Sequence, residues 1–272
     1  MDRITGSAEL NGTRFYYEEA GTGFPVVMLH ACIADLRMWD PQFAPFAEKY
    51  RAVRYDRRGF GRTPFAPSPS TSRDDLLALL DYLRIERAAL MGCSCGGETI
   101  IDFALEHPER TAALIPIGAG LSGYAYNPQP PRYWSELEAA LKKNDFATAA
   151  EFSTRIWLDG RGRSPQKVDP TVRQKALEMA EGALRGEKQR QAHPETSLEP
   201  PVAMRLESIQ APMLTVVGDL DDQDAVQISA LLAAVVPGSK RLILEKTAHL
   251  PNLERPAEFN QVALAFLDAV LA

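Results

Sequence analysis

The chain has 272 residues, 45% of them hydrophobic and 24% charged, with a formal net charge of −6. A chain of this length and composition is an ordinary globular one that buries most of its apolar surface, as one large α/β domain or two small ones. The acidic balance, without a basic run, argues against nucleic acid as a partner; no stretch approaches the roughly 18 apolar residues of a membrane span; and residues 1–6 lack the apolar core of a secretory signal, so a cytoplasmic protein is the expectation.

Asn11-Gly12, ahead of Phe15-Tyr16-Tyr17, predicts a tight turn in an opening hairpin. Residues 25–29 form a continuous apolar run, as in a strand buried on both faces, and 52–55 read as a further strand. Residues 63–72, rich in Pro and Ser, read as a surface loop. Ser72 is placed to cap a helix that carries Leu76, Leu79, Leu80 and Leu83 at helical spacing. A strand over 88–91 then leads into a helix over 95–106 that Pro108 stops, and 112–117 is the next strand. From 121 to about 206 the pattern is helical and charged, with no convincing strand. Strand patterns return at 213–217 and 241–244, and the last helix starts near Pro256, a good first-turn residue. This order predicts an α/β fold with a mostly parallel central sheet flanked by helices. Its core spans 1–121 and 206–272, and a helical cap, 122–205, is inserted after the sixth strand. Such an insertion lies above the carboxyl ends of the strands, where open α/β sheets place their active sites.

Gly92-Cys93-Ser94-Cys95-Gly96-Gly97 contains Gly-x-Ser-x-Gly between a predicted strand and a predicted helix, the context that puts a nucleophilic serine on a strained turn. A helix starting after Ser94 also aims its free N–H groups at developing negative charge. A serine hydroxyl needs a base, and the base needs an orienting carboxylate. Of the four histidines, His30 precedes Ser94, His107 ends the helix Ser94 starts, and His193 lies in the insertion; His249 follows the last strand and completes the order Ser, acid, His. The acid belongs after the preceding strand, where Asp221 is the first choice, with Asp219 and Asp222 as fallbacks. Cys32, Cys93 and Cys95 make no disulfide framework and no metal-ligand spacing, so no cofactor or metal is expected.

With these residues in place the chain resembles the α/β-hydrolase superfamily along almost its whole length. Leu29-His30-Ala31-Cys32 looks like the family's His-Gly loop after the third strand, and Asp56-Arg57-Arg58-Gly59-Phe60-Gly61-Arg62-Thr63 is similar to its Asp-x-Arg-Gly-x-Gly-x-Ser turn. Gly218-x-x-Asp221 matches the family acid, and Ala248-His249 with Arg255-Pro256-Ala257-Glu258-Phe259 resembles its terminal histidine and helix. Ala31 stands where the family commonly has glycine. The nearest subgroup by resemblance is bacterial serine esterases, enol-lactonases and C–C bond hydrolases; a serine at the elbow separates the chain from dehalogenases and epoxide hydrolases, which use Asp there.

The resemblance implies that Ser94, Asp221 and His249 cleave a small-molecule ester or lactone through an acyl-enzyme, in a monomer or homodimer. The backbone N–H groups of Cys32 and Cys95 would form the oxyanion hole. The alternatives are a C–C bond hydrolase acting on vinylogous diketones, and a slow or non-catalytic binding protein on the same fold. Cys32 and Cys95 would then lie close together, as small, soft fillers or, on the sharper reading, as a disulfide or soft-metal pair gating the oxyanion hole; Cys93 reads as structural. Some of Tyr124, Tyr126, Tyr133, Trp134, Phe152 and Trp157 should line an apolar pocket. Arg155, Arg161 and Arg163 read as a solvated face rather than a carboxylate site.

Overall fold

Asn11 and Gly12 both take positive φ (46° and 80°), and this turn folds β1 (Arg3–Leu10) onto β2 (Thr13–Ala20) as the antiparallel hairpin the Asn-Gly pair predicts. The computed structural model describes residues 3–271. After β3 (Pro25–Leu29) come α1 (Asp40–Ala47), β4 (Arg51–Tyr55), α2 (Ser72–Tyr82), β5 (Ala88–Cys93), α3 (Cys95–Glu106) and β6 (Thr111–Ile117). The helices α4 (Trp134–Lys142), α5 (Phe146–Thr154), α6 (Pro170–Arg185) and α7 (Glu187–Gln191) follow, and the chain closes with β7 (Leu214–Gly218), α8 (Gln223–Val235), β8 (Lys240–Leu244), α9 (Pro251–Glu254) and α10 (Pro256–Val270). Among the described residues no helix is long and apolar enough to cross a membrane.

The eight strands form one sheet in the order β1-β2-β4-β3-β5-β6-β7-β8, antiparallel at β1–β2 and β2–β4 and parallel elsewhere. Its central strands are buried on both faces, which is why they read as unbroken apolar runs. Alternate residues feed two cores: Val27 and Leu90 pack with Leu76, Leu79 and Phe103 from α2 and α3, whereas Met28 and Met91 pack with Phe46 of α1 and Phe259 of α10.

The sheet reverses its direction of growth at β3, which pairs with β4 on one side and β5 on the other, so that Leu29 lies opposite both Tyr55 and Gly92. That is the switch point where open α/β sheets hold ligands. The cap of α2 differs from expectation by one residue. Thr71, not Ser72, is the N-cap, because Thr71 and Asp74 satisfy each other's backbone N–H groups in a capping box.

Candidate active site

Ser94 joins β5 to α3 with φ 55° and ψ −121°, a conformation costly for any residue with a side chain. The turn is locked by its backbone: Ser94 N–H donates to the Ile117 carbonyl at 2.9 Å, and the Ser94 carbonyl accepts from Glu98 N–H at 2.9 Å. The flanking glycines are a packing requirement. A Cβ on Gly92 would sit 2.3 Å from the Gly96 carbonyl oxygen, and one on Gly96 2.5 Å from that of Leu29.

The turn after β7 and the loop after β8 meet beside it. A side chain at Gly218 would collide with the Thr247 and Ala248 carbonyl oxygens, both 2.3 Å from a Cβ there, so glycine lets the histidine loop cross the end of β7. His249 Nδ1–H then donates to both carboxylate oxygens of Asp221, at 2.9 and 3.0 Å, with both residues buried. Burial works against a charged imidazole here; the Asp221 charge and its hydrogen bond overturn that, and His249 is held above the ordinary histidine range. The other acids have separate work: the Asp219 carboxylate accepts from Thr247 N–H, and the Asp222 carboxylate caps α8 by accepting from Asp224 N–H.

The remaining histidines are placed away from Asp221. Buried His30 accepts the Arg57 N–H at Nε2 (3.0 Å), so its proton is on Nδ1, donating to the Ala31 carbonyl. Burial, with the Arg57 charge nearby, pushes it down to about 3 and keeps it neutral. It braces the loop after β3 against the loop after β4. His107 ends α3, and His193 is exposed on the insertion.

Cys32 and Cys95 are joined by a disulfide, with 5.9 Å between their Cα atoms, so the reading of them as mere fillers is corrected to a bridged pair. The register explains the contact. Leu29 is paired with Gly92, and each cysteine lies three residues past its member of that pair, in loops that leave adjacent parallel strands together. Cys95 opens α3, so its N–H has no intrahelical acceptor, and among the described residues neither the Cys32 nor the Cys95 N–H donates to a protein acceptor. Cys93 is free and buried, and no group of three or more His, Cys, Asp or Glu side chains that could hold a metal occurs among the described residues.

Two cavities meet at this place, of about 440 and 680 Å³, and both are lined by Ser94, His249, Trp134 and Trp157. Of the insertion's other aromatics, Tyr126 lines the larger cavity and Tyr133 lies in a groove away from Ser94. The sequence reading gave no site role to Phe60, Phe65, Leu184 and Arg190, which line the smaller one; Phe60 lies within the Asp56–Thr63 turn, and the others come from a loop and helix ends that carry no site motif. Arg190 is held across the Phe60 ring, 3.8 Å from its centroid, and donates to the Gly59 and Ala183 carbonyls. It makes no ion pair among the described residues, and burial, with Arg57 nearby, lowers it to about 10.

Arg161 is exposed, as expected, whereas the Arg163 side chain is turned inward, and together they clamp the insertion to the site. Arg161 donates to the Asp219 and Asp221 carbonyls. Arg163 pairs at 2.7 Å with half-buried Glu254, whose other oxygen accepts from Ala248 N–H. Trp157 completes the contact: its carbonyl accepts the His249 N–H at 2.9 Å, and its ring lies 4.8 Å from the imidazole. Arg155 is bound to Glu151 within the insertion.

A sheet that reverses at β3, with a strained serine after β5 and a buried Asp–His pair after β7 and β8, defines a hydrolase-like α/β architecture. The sequence pattern of the α/β hydrolase fold family matches residues 25–256, and the chain belongs to that family. Carboxylesterase YbfK of Bacillus subtilis is 26% identical over 249 residues (89% of this chain, 79% of that one). Its crystal structure superposes with a TM-score of 0.77 at 23% identity, covering 98% and 92% of the two chains. The 3-oxoadipate enol-lactonase 2 of Acinetobacter baylyi is 27% identical over 86% of this chain and 84% of its own. A 2-hydroxy-6-oxo-6-phenylhexa-2,4-dienoate hydrolase of Comamonas testosteroni is 28% identical over 95% and 93%.

Proposed function

We propose that this protein is a serine hydrolase of carboxylic esters or lactones. In this reading Ser94 Oγ attacks the carbonyl while His249 Nε2 takes its proton, and Asp221 holds the imidazole in the required tautomer and stabilises its charged form. The N–H groups of Cys32 and Cys95 receive the oxyanion, a contribution of several kcal/mol when such donors are preorganised. The tetrahedral intermediate collapses as His249 returns the proton to the leaving oxygen, and water, activated by the same histidine, releases the acid. The observation that carries the reading is the buried 2.9 Å bond between His249 and Asp221, beside a cavity that Ser94 also lines. The two cavities meeting at Ser94 give the acyl and alcohol halves of a substrate separate room, with segment 122–205 as their cap.

The test is hydrolysis of short p-nitrophenyl esters and lactones by wild type and Ser94→Ala. The expected loss is about 10⁴-fold or more in kcat, together with loss of fluorophosphonate labelling; a Ser94→Ala variant retaining a tenth of the activity overturns the assignment. Folded wild type that is never labelled favours a binding protein instead. C–C bond hydrolysis is the second reading, and Arg190 supports it. An arginine without an ion-pair partner in the cavity suits a substrate carboxylate, which the dienoate named for one relative carries. A panel of esters, lactones and vinylogous diketones separates the two.

A further inference from the structure

The bridge between Cys32 and Cys95 has a neighbour that a disulfide does not require. Arg57 follows β4 and is buried, with only 8% of its surface exposed. Its Nη1 lies 2.7 Å from Cys95 Sγ and 3.7 Å from Cys32 Sγ, and Nη2 reaches the Ser72 and Thr99 hydroxyls. Its Nε has no partner, and among the described residues the guanidinium makes no ion pair with a carboxylate. A disulfide sulfur is a weak acceptor that leaves this charge unanswered. A thiolate at Cys95 would answer it in full, and Cys95 is also the first residue of a 12-residue helix, where anionic sulfur is favoured.

We propose that Cys32–Cys95 is a thiol–disulfide exchange site whose reduced form is stabilised by Arg57 and the start of α3, and whose reduction slows turnover at Ser94. The exchange half stands on the bridge and Arg57 alone; the turnover half rests on the reading of Ser94 and the oxyanion hole above. Access favours attack at one sulfur, because Cys32 is exposed while Cys95 is half-buried. A thiolate of a dithiol reductant bonds to Cys32 Sγ, the bridge breaks, and Cys95 leaves with the electron pair as a thiolate. The second thiol of the reductant, after losing its proton, bonds to the reductant's first sulfur, the bond from that sulfur to Cys32 breaks, and Cys32 leaves as a thiolate that takes up a proton. Two electrons have passed to the protein, and the reductant has become a disulfide. A better-stabilised leaving thiolate makes the bridge easier to open.

The acids around the bridge do not cancel Arg57. Glu98 and Asp102 of α3, Arg73 of α2 and Glu195 after α7 share a polar cavity of about 280 Å³ with both cysteines. Asp102 faces Arg73 at 3.5 Å, and burial raises Glu98 and raises Asp102 to about 7. Glu195 is occupied by the Ser72 N–H and hydroxyl. None of them is hydrogen-bonded to either sulfur.

Reduction would remove the covalent tie between the two residues proposed as oxyanion donors and place negative charge beside an oxyanion. The expected fall in kcat is about tenfold or more, in line with losing part of an oxyanion hole. The experiment equilibrates protein purified without reductant in dithiothreitol buffers, traps thiols with iodoacetamide and counts them by mass spectrometry. Before reduction, one thiol, Cys93, should appear, and only on denaturation; after it, Cys95 should alkylate with a pH midpoint clearly below the ordinary value of about 8.5. Arg57→Gln should raise that midpoint and make the bridge about tenfold harder to reduce. Three thiols in the unreduced protein, or an ordinary midpoint for wild-type Cys95, overturns the proposal without any variant having to fold. Unchanged esterase turnover in fully reduced protein overturns its second half. Ser94→Ala must keep the thiol chemistry while losing turnover, so a wild type that exchanges thiols yet never hydrolyses an ester sinks the serine-hydrolase reading and leaves the exchange site standing.

Discussion

The carboxyl edge of the sheet and the helices between β6 and β7 both line the cavities at Ser94, and they hold their residues by different means. At the sheet edge, position comes from the backbone. Ser94 is trapped in a strained turn between glycines that admit no side chain, and Asp221 and His249 lie at the ends of paired strands rooted in two large apolar cores. In the insertion, position comes mostly from side chains. Its own buried cluster is small and alanine-rich (Leu137, Ala140, Ala149, Ala150, Ala180 and Leu184), and it is fixed to the sheet by Leu158, Val168, Ala176 and Met179, which join one of the two sheet cores, and through Arg161, Arg163 and the Trp157 carbonyl. Chemistry should therefore be set by the edge, and selectivity by the insertion.

The sharpest test within the edge compares three neighbouring aspartates. Asp221→Asn should lower kcat by about 10³–10⁴-fold, because the imidazole loses its orienting charge and tautomer, whereas Asp219→Asn and Asp222→Asn should stay within a few-fold of wild type. The pH profile gives the sign. As the proposed base His249 would work only when neutral, and it is held above its ordinary value, so kcat/KM should fall as pH drops through a midpoint above 6.5. Asp221→Asn removes the main cause of the rise and leaves burial opposed only by the charge of Asp222, which moves the midpoint down. A profile unchanged by the substitution would break the assignment of Asp221.

The same division explains what was legible in the sequence. The glycines at 92 and 96, the Gly218-x-x-Asp221 spacing and the lone histidine after the last strand are local requirements of backbone geometry, so they leave local patterns. The fold followed from apolar runs whose two-faced burial a parallel sheet demands. The Cys32–Cys95 bridge depends on the register of β3 against β5, which no segment specifies alone, and so it was one of two readings. Arg163 read as surface charge because the Lys246 carbonyl and Glu254 that hold it lie in a distant segment, and no local pattern announces the sulfur that Arg57 meets or the ring under Arg190. The cap of α2 had no deciding local signal, because Thr71 precedes Asp74 and Ser72 precedes Asp75 by the same three residues; the choice falls to Thr71 because Asp75 is engaged by Arg58 and Asn11 from distant segments.

On the insertion side, Arg190→Gln should cost about 10-fold or more in kcat/KM on esters or lactones that carry a carboxylate, the scale of one charge-assisted hydrogen bond. Neutral esters should change by no more than about twofold, since Ser94 and His249 are untouched. Equal losses on both substrate types would mean that Arg190 holds the insertion in place through Gly59 and Ala183 rather than meeting substrate.

The smallest effects separate the two regions in stability. Thr71→Ala removes the α2 capping box, a loss of about 1 kcal/mol, which at this size lowers the melting temperature by about 2 °C. Asp145, whose carboxylate caps α5 by accepting from Thr148 N–H, is the comparable device in the insertion. If α4 and α5 open below the free energy at which the sheet unfolds, as the small cluster that buries them implies, Asp145→Ala should leave the melting temperature in place. It should instead accelerate amide exchange across residues 146–154, at unchanged exchange in β5. Matching drops in melting temperature for the two variants would mean that insertion and sheet unfold as one unit, and the division between edge and insertion would then hold for chemistry but not for stability.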